Sequence, residues 1–205
     1  MRLVFEHRIF TIHGKYDVYD VNGKPVYRVS DILTRKIIGH SIDIKDMDNQ
    51  VVGHIEQRWN PLFTTFDLYQ GPDKQLVGRM KKELNLFRHK FLLKEKNWHV
   101  VGNLLLWDFK IVDGHGNVLA IAEKRVRVRE TFTLDIEEKE NEVPVLLFAL
   151  AMMAFVHDKI QAKKRRIKLG ALITILIRGL PGGKSGNIKN ISYDGTRIKR
   201  SKRHL

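Results

Sequence analysis

The chain has 205 residues, 43% hydrophobic and 29% charged, which fits one domain with or without a tail and excludes wholesale disorder. It contains no cysteine, which excludes a disulfide scaffold, a thiolate nucleophile and a zinc site built on Cys. The net charge of +14 is divided unevenly along the chain. Residues 163–205 hold 13 Lys or Arg and one acid, whereas residues 1–162 hold 24 Lys or Arg and 22 acids. This asymmetry predicts a nearly neutral body and a basic tail that meets phosphate in lipid or nucleic acid.

A repeated unit runs through the body, made of a short alternating strand, a polar turn and a second strand. Its six copies are anchored on apolar residues, namely Val18, Ile44, Leu68, Leu93, Ile111 and Leu134. Asn, Asp and Gly in the turns supply the positive φ angles that tight hairpins need. Five copies lead into a second strand and the sixth leads into a helix. With an opening strand in residues 3–12, the pattern predicts about twelve antiparallel strands.

The predicted helix covers residues 143–160, and its centre is unusual. Residues 144–156 contain no polar side chain, and a helix that is apolar on every face must be buried all round. These residues extend about 20 Å, whereas a membrane span takes roughly 20 apolar residues. The sequence therefore predicts a core helix and no transmembrane helix.

Barrel geometry suggests where this helix lies. Eight strands make a barrel that its own side chains fill, whereas wider barrels leave a lumen. A helix about 10 Å across would fill such a lumen, as in the eleven-stranded barrels with a central helix. We therefore expect a mainly β fold in residues 1–162, a closed antiparallel barrel around its C-terminal helix. Residues 163–205 are expected to form a flexible, basic, Gly-containing tail.

An ordered series of segments along residues 3–158 carries a family resemblance. The segments are 9–12, 16–23, 26–29, 41–49, 55–58, 66–69, 86–91, 102, 107–111, 131–136 and the apolar helix that ends at Asp158. In order and spacing they resemble the LURP-one-related family of the tubby C-terminal-like superfamily, which also contains the phospholipid scramblases. The resemblance implies a twelve-stranded barrel around a C-terminal helix and binding of phosphoinositides or other phospholipids. It implies no catalytic residues, and it does not extend into the tail.

Enzyme signatures are missing from the sequence. Neither H-E-x-x-H nor G-x-S-x-G occurs. The histidines lie at unrelated spacing, which favours surface or packing roles over metal ligation. We therefore expect a non-enzymatic protein with no cofactor and no metal site.

Two groups of basic residues in the body are candidates for a lipid head-group site. The first is Arg125, Arg127 and Arg129, which alternate with valine, so their guanidinium groups share one side of a strand at about 6.6 Å spacing. Arginine forks suit phosphate, although a solvated outer face is the alternative interpretation. The second group, across one predicted hairpin, consists of Arg79, Lys81, Lys82, Arg88 and Lys90.

The strand that leads to the first group has apolar residues that do not all share one face, because successive side chains alternate between the two sides of a strand. If Leu119 and Ile121 point inward, then Val126 and Val128 have the wrong parity to do so. The sequence therefore predicts a bulge or turn near Lys124.

The tail begins with a basic cluster beside an apolar run. The cluster consists of Lys163, Lys164, Arg165, Arg166 and Lys168. Such a cluster suits an anionic membrane surface, where each Lys or Arg adds about 1 kcal/mol. We expect a cytoplasmic phospholipid- or phosphoinositide-binding module that associates peripherally with a membrane. The alternatives are nucleic-acid binding through the tail and a solubilising, disordered extension. The sequence predicts no oligomeric state.

Overall fold

The computed structural model describes residues 1–6, 14–34, 39–58, 64–84, 89–126 and 130–179, which form twelve β-strands and one α-helix. Strands β1 to β12 span Arg2–Glu6, Gly14–Tyr19, Pro25–Thr34, Gly39–Lys45, Val51–Arg58, Thr65–Gln70, Gln75–Leu84, His89–Leu93, Trp98–Asn103, Asp108–Val112, Val118–Val126 and Glu130–Ile136. Helix α1 spans Glu142–Gly179. Short 3₁₀ turns lie at Lys94–Lys96, Leu104–Leu106 and Lys139–Asn141.

The strands form a closed barrel in which each strand pairs antiparallel with the next. The first and last strands complete the ring, where Arg2 pairs with Asp135 and Glu6 pairs with Thr131. Each of the described strands therefore has a neighbour on both sides, and none of them is an edge strand. The predicted mainly β barrel of about twelve strands is confirmed.

Three hairpin turns share one device that explains why the sequence repeats aspartate there. One carboxylate oxygen of Asp20, Asp46 or Asp113 accepts hydrogen bonds from backbone N–H groups two and four residues later. An aspartate at the start of a turn thereby holds the turn closed. These connections lie at one end of the barrel, which we call the turn end.

Helix α1 fills the barrel lumen, as expected from its composition. The six repeat anchors are all fully buried, and α1 is buried from Val145 to His157. Among the described residues, one segment, Lys139–Asp158, has the length and mean hydropathy (1.3) of a membrane span, and 83% of its apolar window is buried inside the protein. This burial identifies the segment as a core helix.

Helix α1 is longer than the predicted range of 143–160. It continues beyond its buried part to Gly179. Leu, Ala, Lys and Arg, which dominate this continuation, are good helix formers, and no proline follows before Pro181. The chain divides into two compact units, Met1–Lys164 and Arg165–Leu205. Residues 180–205 lie outside the described residues, so the flexibility of the tail stays a prediction.

The predicted inward parity of β11 is wrong. Ala120 and Ala122 are fully buried, whereas Leu119 and Ile121 are only partly buried. The pairing of β11 with β12 continues without a shift from Ala120 to Val126, so this ladder has no bulge near Lys124. The two small alanines therefore take the inward positions of β11, and the larger Leu119 and Ile121 remain partly exposed.

The opposite end of the barrel, where α1 leaves the lumen, is called the exit end. The strand pairs that terminate there include Thr34 with Gly39, Leu84 with His89, and Val126 with Glu130. Helix α1 reaches this end at Asp158, whose side chain is 42% exposed and contacts His40 at the start of β4.

Candidate functional site

Polar side chains replace apolar ones at the inward positions of several strands as they approach the exit end. Each has the same strand parity as a buried core residue two positions away in its own strand. We call this group the inner rim, and its members are Asp31 of β3, His40 of β4, Gln57 of β5, Lys82 of β7 and Lys124 of β11. The inner rim surrounds α1 where the helix passes out of the barrel.

His40 forms the centre of a buried hydrogen-bond network. Its Nδ1 lies 2.9 Å from Asp31 Oδ2, and its Nε2 lies 2.9 Å from Asp158 Oδ1. Burial alone would lower the pKa of His40, but the hydrogen bonds with Asp158 and Asp31 outweigh burial and raise the pKa to about 9. His40 is therefore an imidazolium at neutral pH that joins the barrel wall to the helix.

Gln57 and His157 complete this network. The Gln57 side chain accepts a hydrogen bond of 2.7 Å from the backbone N–H of His40, and it donates one of 3.5 Å to Asp158 Oδ2. Burial alone would raise the pKa of Asp158, but the hydrogen bond from His40 leads the interactions that lower it below the ordinary value. His157 Nδ1 lies 3.9 Å from Asp158 Oδ1. His40, His157 and Asp158 each place one potential metal-ligand atom within 4.8 Å of the others.

Two lysines of the inner rim extend over aromatic rings. Lys82 Nζ lies 5.5 Å from the ring centroid of Phe155 on α1, and Lys124 Nζ lies 5.8 Å from that of Phe132 on β12. An ammonium group at this distance is attracted to the ring face. These contacts hold two positive charges at the mouth of the barrel.

Arg79 lies on the outer face of the barrel and is engaged by an aspartate. Asp67 is 1% exposed and accepts hydrogen bonds from both Arg79 and Arg58, at 2.5 Å and 2.7 Å from their Nε atoms. Asp67 and Tyr69 alternate with the buried core residues Phe66 and Leu68 along β6, and the two guanidinium groups cover the Asp67 carboxylate. A structural ion pair therefore accounts for much of the charge of Arg79.

The other predicted head-group residues are distributed over three strands and two connections. Arg125 lies near the exit end of β11, with its side chain 42% exposed and 3.4 Å from Glu123. Lys81 is a partly exposed residue of β7, and Lys90 lies in β8. Arg127, Arg129 and Arg88 lie outside the described residues. The structure thus brings Arg125, Lys81 and Lys82 toward the same end of the barrel.

The predicted electrostatic residues of the tail all lie in α1. They are Lys163, Lys164, Arg165, Arg166 and Lys168. Lys163 and Lys164 belong to the first compact unit, and the other three belong to the second.

Sequence reasoning missed the network around His40, because its members are far apart in the chain. His40 and Asp158 are separated by 118 positions. A weak signal was present, since Asp31, His40 and Gln57 each lie two positions from a buried apolar strand residue, namely Val29, Ile42 and Ile55. Lys124 was also missed, because the wrong parity placed it at a bulge.

The comparisons with known proteins agree with the fold. The chain is 19% identical to the uncharacterized protein YxjI of Bacillus subtilis over 160 residues, which cover 78% of this chain and 96% of that protein. A crystal structure of an Arabidopsis thaliana protein superposes with a TM-score of 0.51 at 13% identity, covering 73% of this chain and 88% of the other. The LURP-one-related family model matches residues 1–155. The chain therefore belongs to the LURP-one-related family.

Proposed function

We propose that this protein is a non-enzymatic binding module that associates with anionic phospholipid, including phosphoinositides, through the exit end of its barrel. The family match and the barrel fold support a binding module of the tubby-like kind. The choice of an anionic lipid surface depends on the distribution of charge.

The observation that carries the proposal is the convergence of basic residues at the exit end. Lys81 and Lys82 lie near the exit end of β7, and Lys124 and Arg125 lie near that of β11. Helix α1 leaves the barrel at this end, and the compact unit that contains the barrel ends with Lys163 and Lys164 of this helix. An anionic surface gains about 1 kcal/mol from each Lys or Arg close to it.

The connecting sequences reinforce this polarity. In the sequence, the segments that follow β1, β3, β5, β7, β9 and β11 contain six Lys or Arg and no Asp or Glu, in residues 7–13, 35–38, 59–63, 85–88, 104–107 and 127–129. The segments that join strands at the turn end, 20–24, 46–50, 71–74, 94–97 and 113–117, contain six acids and four lysines. An anionic surface would therefore attract the exit end and repel the turn end.

The barrel interior favours recognition of head groups at the surface over uptake of an acyl chain. Helix α1 occupies the lumen. In the described part of the chain, the crevice between Trp107 and the helix residues Ala149, Met152 and Val156 is too narrow to admit a water molecule. This crevice therefore has no room for an acyl chain.

The proposal is tested by sedimentation of the full chain with vesicles of phosphatidylcholine alone, or mixed with phosphatidylserine or a phosphoinositide. Lys81→Ala/Arg125→Ala should weaken binding to the anionic vesicles roughly 10- to 30-fold, because two charges contribute about 2 kcal/mol. The matched control, Lys24→Ala/Lys139→Ala, removes two lysines from the turn end and should bind as the unchanged protein does. Equal losses in both variants would contradict a site at the exit end.

Duplex DNA at the same salt concentration distinguishes the alternative function. Tail charges would bind DNA without sequence preference and with a steep salt dependence. Tight DNA binding together with no vesicle binding would move the function to nucleic-acid association through the tail. Vesicle binding that exceeds DNA binding supports the lipid proposal.

A further inference from the structure

We propose that the inner rim contains a site for a divalent transition-metal ion, with Zn²⁺ as its preferred occupant. The ligands are His40 Nε2 from β4, and His157 Nδ1 and an oxygen of Asp158 from α1. Among the described residues these three form a group whose ligand atoms all lie within 4.8 Å of one another. Two imidazoles and a carboxylate are a ligand set that proteins use for Zn²⁺.

The distances are compatible with metal binding after a small adjustment. His40 Nε2 lies 2.9 Å and His157 Nδ1 lies 3.9 Å from Asp158 Oδ1. Bonds to zinc of about 2.0–2.2 Å place tetrahedral ligand atoms roughly 3.3–3.5 Å apart. On metal binding the distance from Asp158 Oδ1 to His40 Nε2 would therefore lengthen slightly, and the distance from Asp158 Oδ1 to His157 Nδ1 would shorten. The half-exposed side chain of Asp158 has room for this movement.

The residues around the ligands hold them in the orientation that a metal needs. Asp31 is fully buried and lies 2.9 Å from His40 Nδ1, so this nitrogen keeps its proton toward Asp31, and a metal bound at Nε2 would displace the second proton of the imidazolium. A carboxylate behind a ligating histidine fixes the ring orientation and raises its basicity. Gln57 contacts both the backbone of His40 and the carboxylate of Asp158. Both the strand ligand and the helix carboxylate therefore have a polar partner that positions them.

Burial and ligand chemistry decide which metal fits. The side chains of His40 and His157 are 1% and 6% exposed, whereas that of Asp158 is 42% exposed. An ion can enter from the Asp158 side, and three protein ligands leave a fourth position for water. Imidazole nitrogen favours Zn²⁺ and similar transition metals over Mg²⁺ and Ca²⁺, which prefer oxygen ligands. The bound ion would clamp the start of β4 to α1 just before the basic cluster.

The experiment titrates Zn²⁺ alone into the chelator-treated full chain in competition with a chromophoric chelator. Because protons compete with metals for imidazole nitrogen, we choose about pH 8. We expect one equivalent to bind and the melting temperature to rise. Asp31→Asn removes a supporting partner of a ligand and should weaken Zn²⁺ binding roughly 10- to 100-fold. His157→Asn removes a ligand and should weaken Zn²⁺ binding by more than that. Co²⁺ in place of Zn²⁺ should give visible absorption bands that His157→Asn removes.

The matched control is His54→Asn. His54 is also a buried histidine in the barrel wall, and its Nδ1 lies 2.6 Å from Asp43 Oδ1, but the described residues offer it no third ligand. This variant should bind Zn²⁺ as the unchanged protein does. Asp158→Asn, at a partly exposed position, provides a second ligand variant if a change at His157 prevents folding. No saturable binding, or binding that survives both ligand variants, would overturn the proposal.

Discussion

Gly53 of β5 lies against Leu147 of α1 so closely that a Cβ built on Gly53 would be 2.9 Å from Leu147 Cδ2. Leu147 is fully buried, so its side chain has little space into which it can move. The contact shows that the lumen is tightly packed, because position 53 has room for the hydrogen atom of glycine but not for a larger side chain.

Replacing Gly53 by valine should therefore destabilise the barrel by about 1–3 kcal/mol, the usual cost of overpacking a core. Chemical denaturation of the single variant measures this loss. The double variant Gly53→Val/Leu147→Ala should lose less stability than the sum of the two single changes, since the smaller side chain makes room. Strict additivity would contradict a direct contact between these two positions.

The buried helix makes a second prediction. Leu150→Asp places a carboxylate at a position that is 2% exposed, and an unpaired buried charge costs several kcal/mol. The variant should fail to fold or should melt far below the unchanged protein in a thermal scan. Ala162→Asp adds the same charge to an exposed position of α1 and should leave the melting temperature nearly unchanged. A soluble Leu150→Asp variant with an unchanged midpoint would refute the helix-filled barrel.

Asp67 should make the stability of the barrel depend on acid. Burial alone would raise the pKa of Asp67, but hydrogen bonds from Arg79 and Arg58 lower it below the ordinary aspartate value. Because the folded-state pKa is depressed, the carboxylate stabilises the fold above the unfolded-state pKa of about 3.9, and this contribution is lost as pH falls through the folded-state pKa.

Asp67→Asn should accordingly cost about 1.5–3 kcal/mol at pH values near 7, the range for hydrogen bonds to charged groups. The difference from the unchanged protein should shrink as the pH falls below about 4. Denaturant titrations across this pH range measure both effects. Asp17→Asn breaks the more exposed pair with Arg28 and should change stability by less than about 1 kcal/mol. A loss for Asp67→Asn that does not vary with pH would contradict the charged pair as its cause.

Removal of the tail separates folding from adsorption. A chain that ends at Gln161 keeps the buried part of α1 and should fold with a cooperative thermal transition. It should adsorb more weakly to anionic vesicles, and its deficit should shrink at high salt because screening weakens the contribution of the missing charges. If the shortened chain does not fold, then residues beyond Gln161 contribute to the core.

The sequence by itself was sufficient for the architecture. The alternation around Val18, Ile44 and the other anchors predicted strands whose inward residues are fully buried. The apolar run in residues 144–156 predicted a core helix that the barrel must enclose. Both predictions succeed because local periodicity and composition determine which face of an element leaves water. The predicted parity of β11 was wrong because size suggested that Leu119 and Ile121 point inward, whereas the small residues Ala120 and Ala122 are the fully buried ones.

The candidate site depends on tertiary structure. His40 and Asp158 come together only because α1 leaves the barrel beside the start of β4, and no local pattern encodes a contact over 118 positions. The same holds for Asp67, because the arginines that cover its carboxylate, Arg58 and Arg79, belong to the neighbouring strands. Side-chain type and strand parity are local properties of the sequence. The partners of a polar group depend instead on which strands become neighbours when the barrel closes. These partners determine the charge state of the group and its capacity to bind an ion or a phosphate.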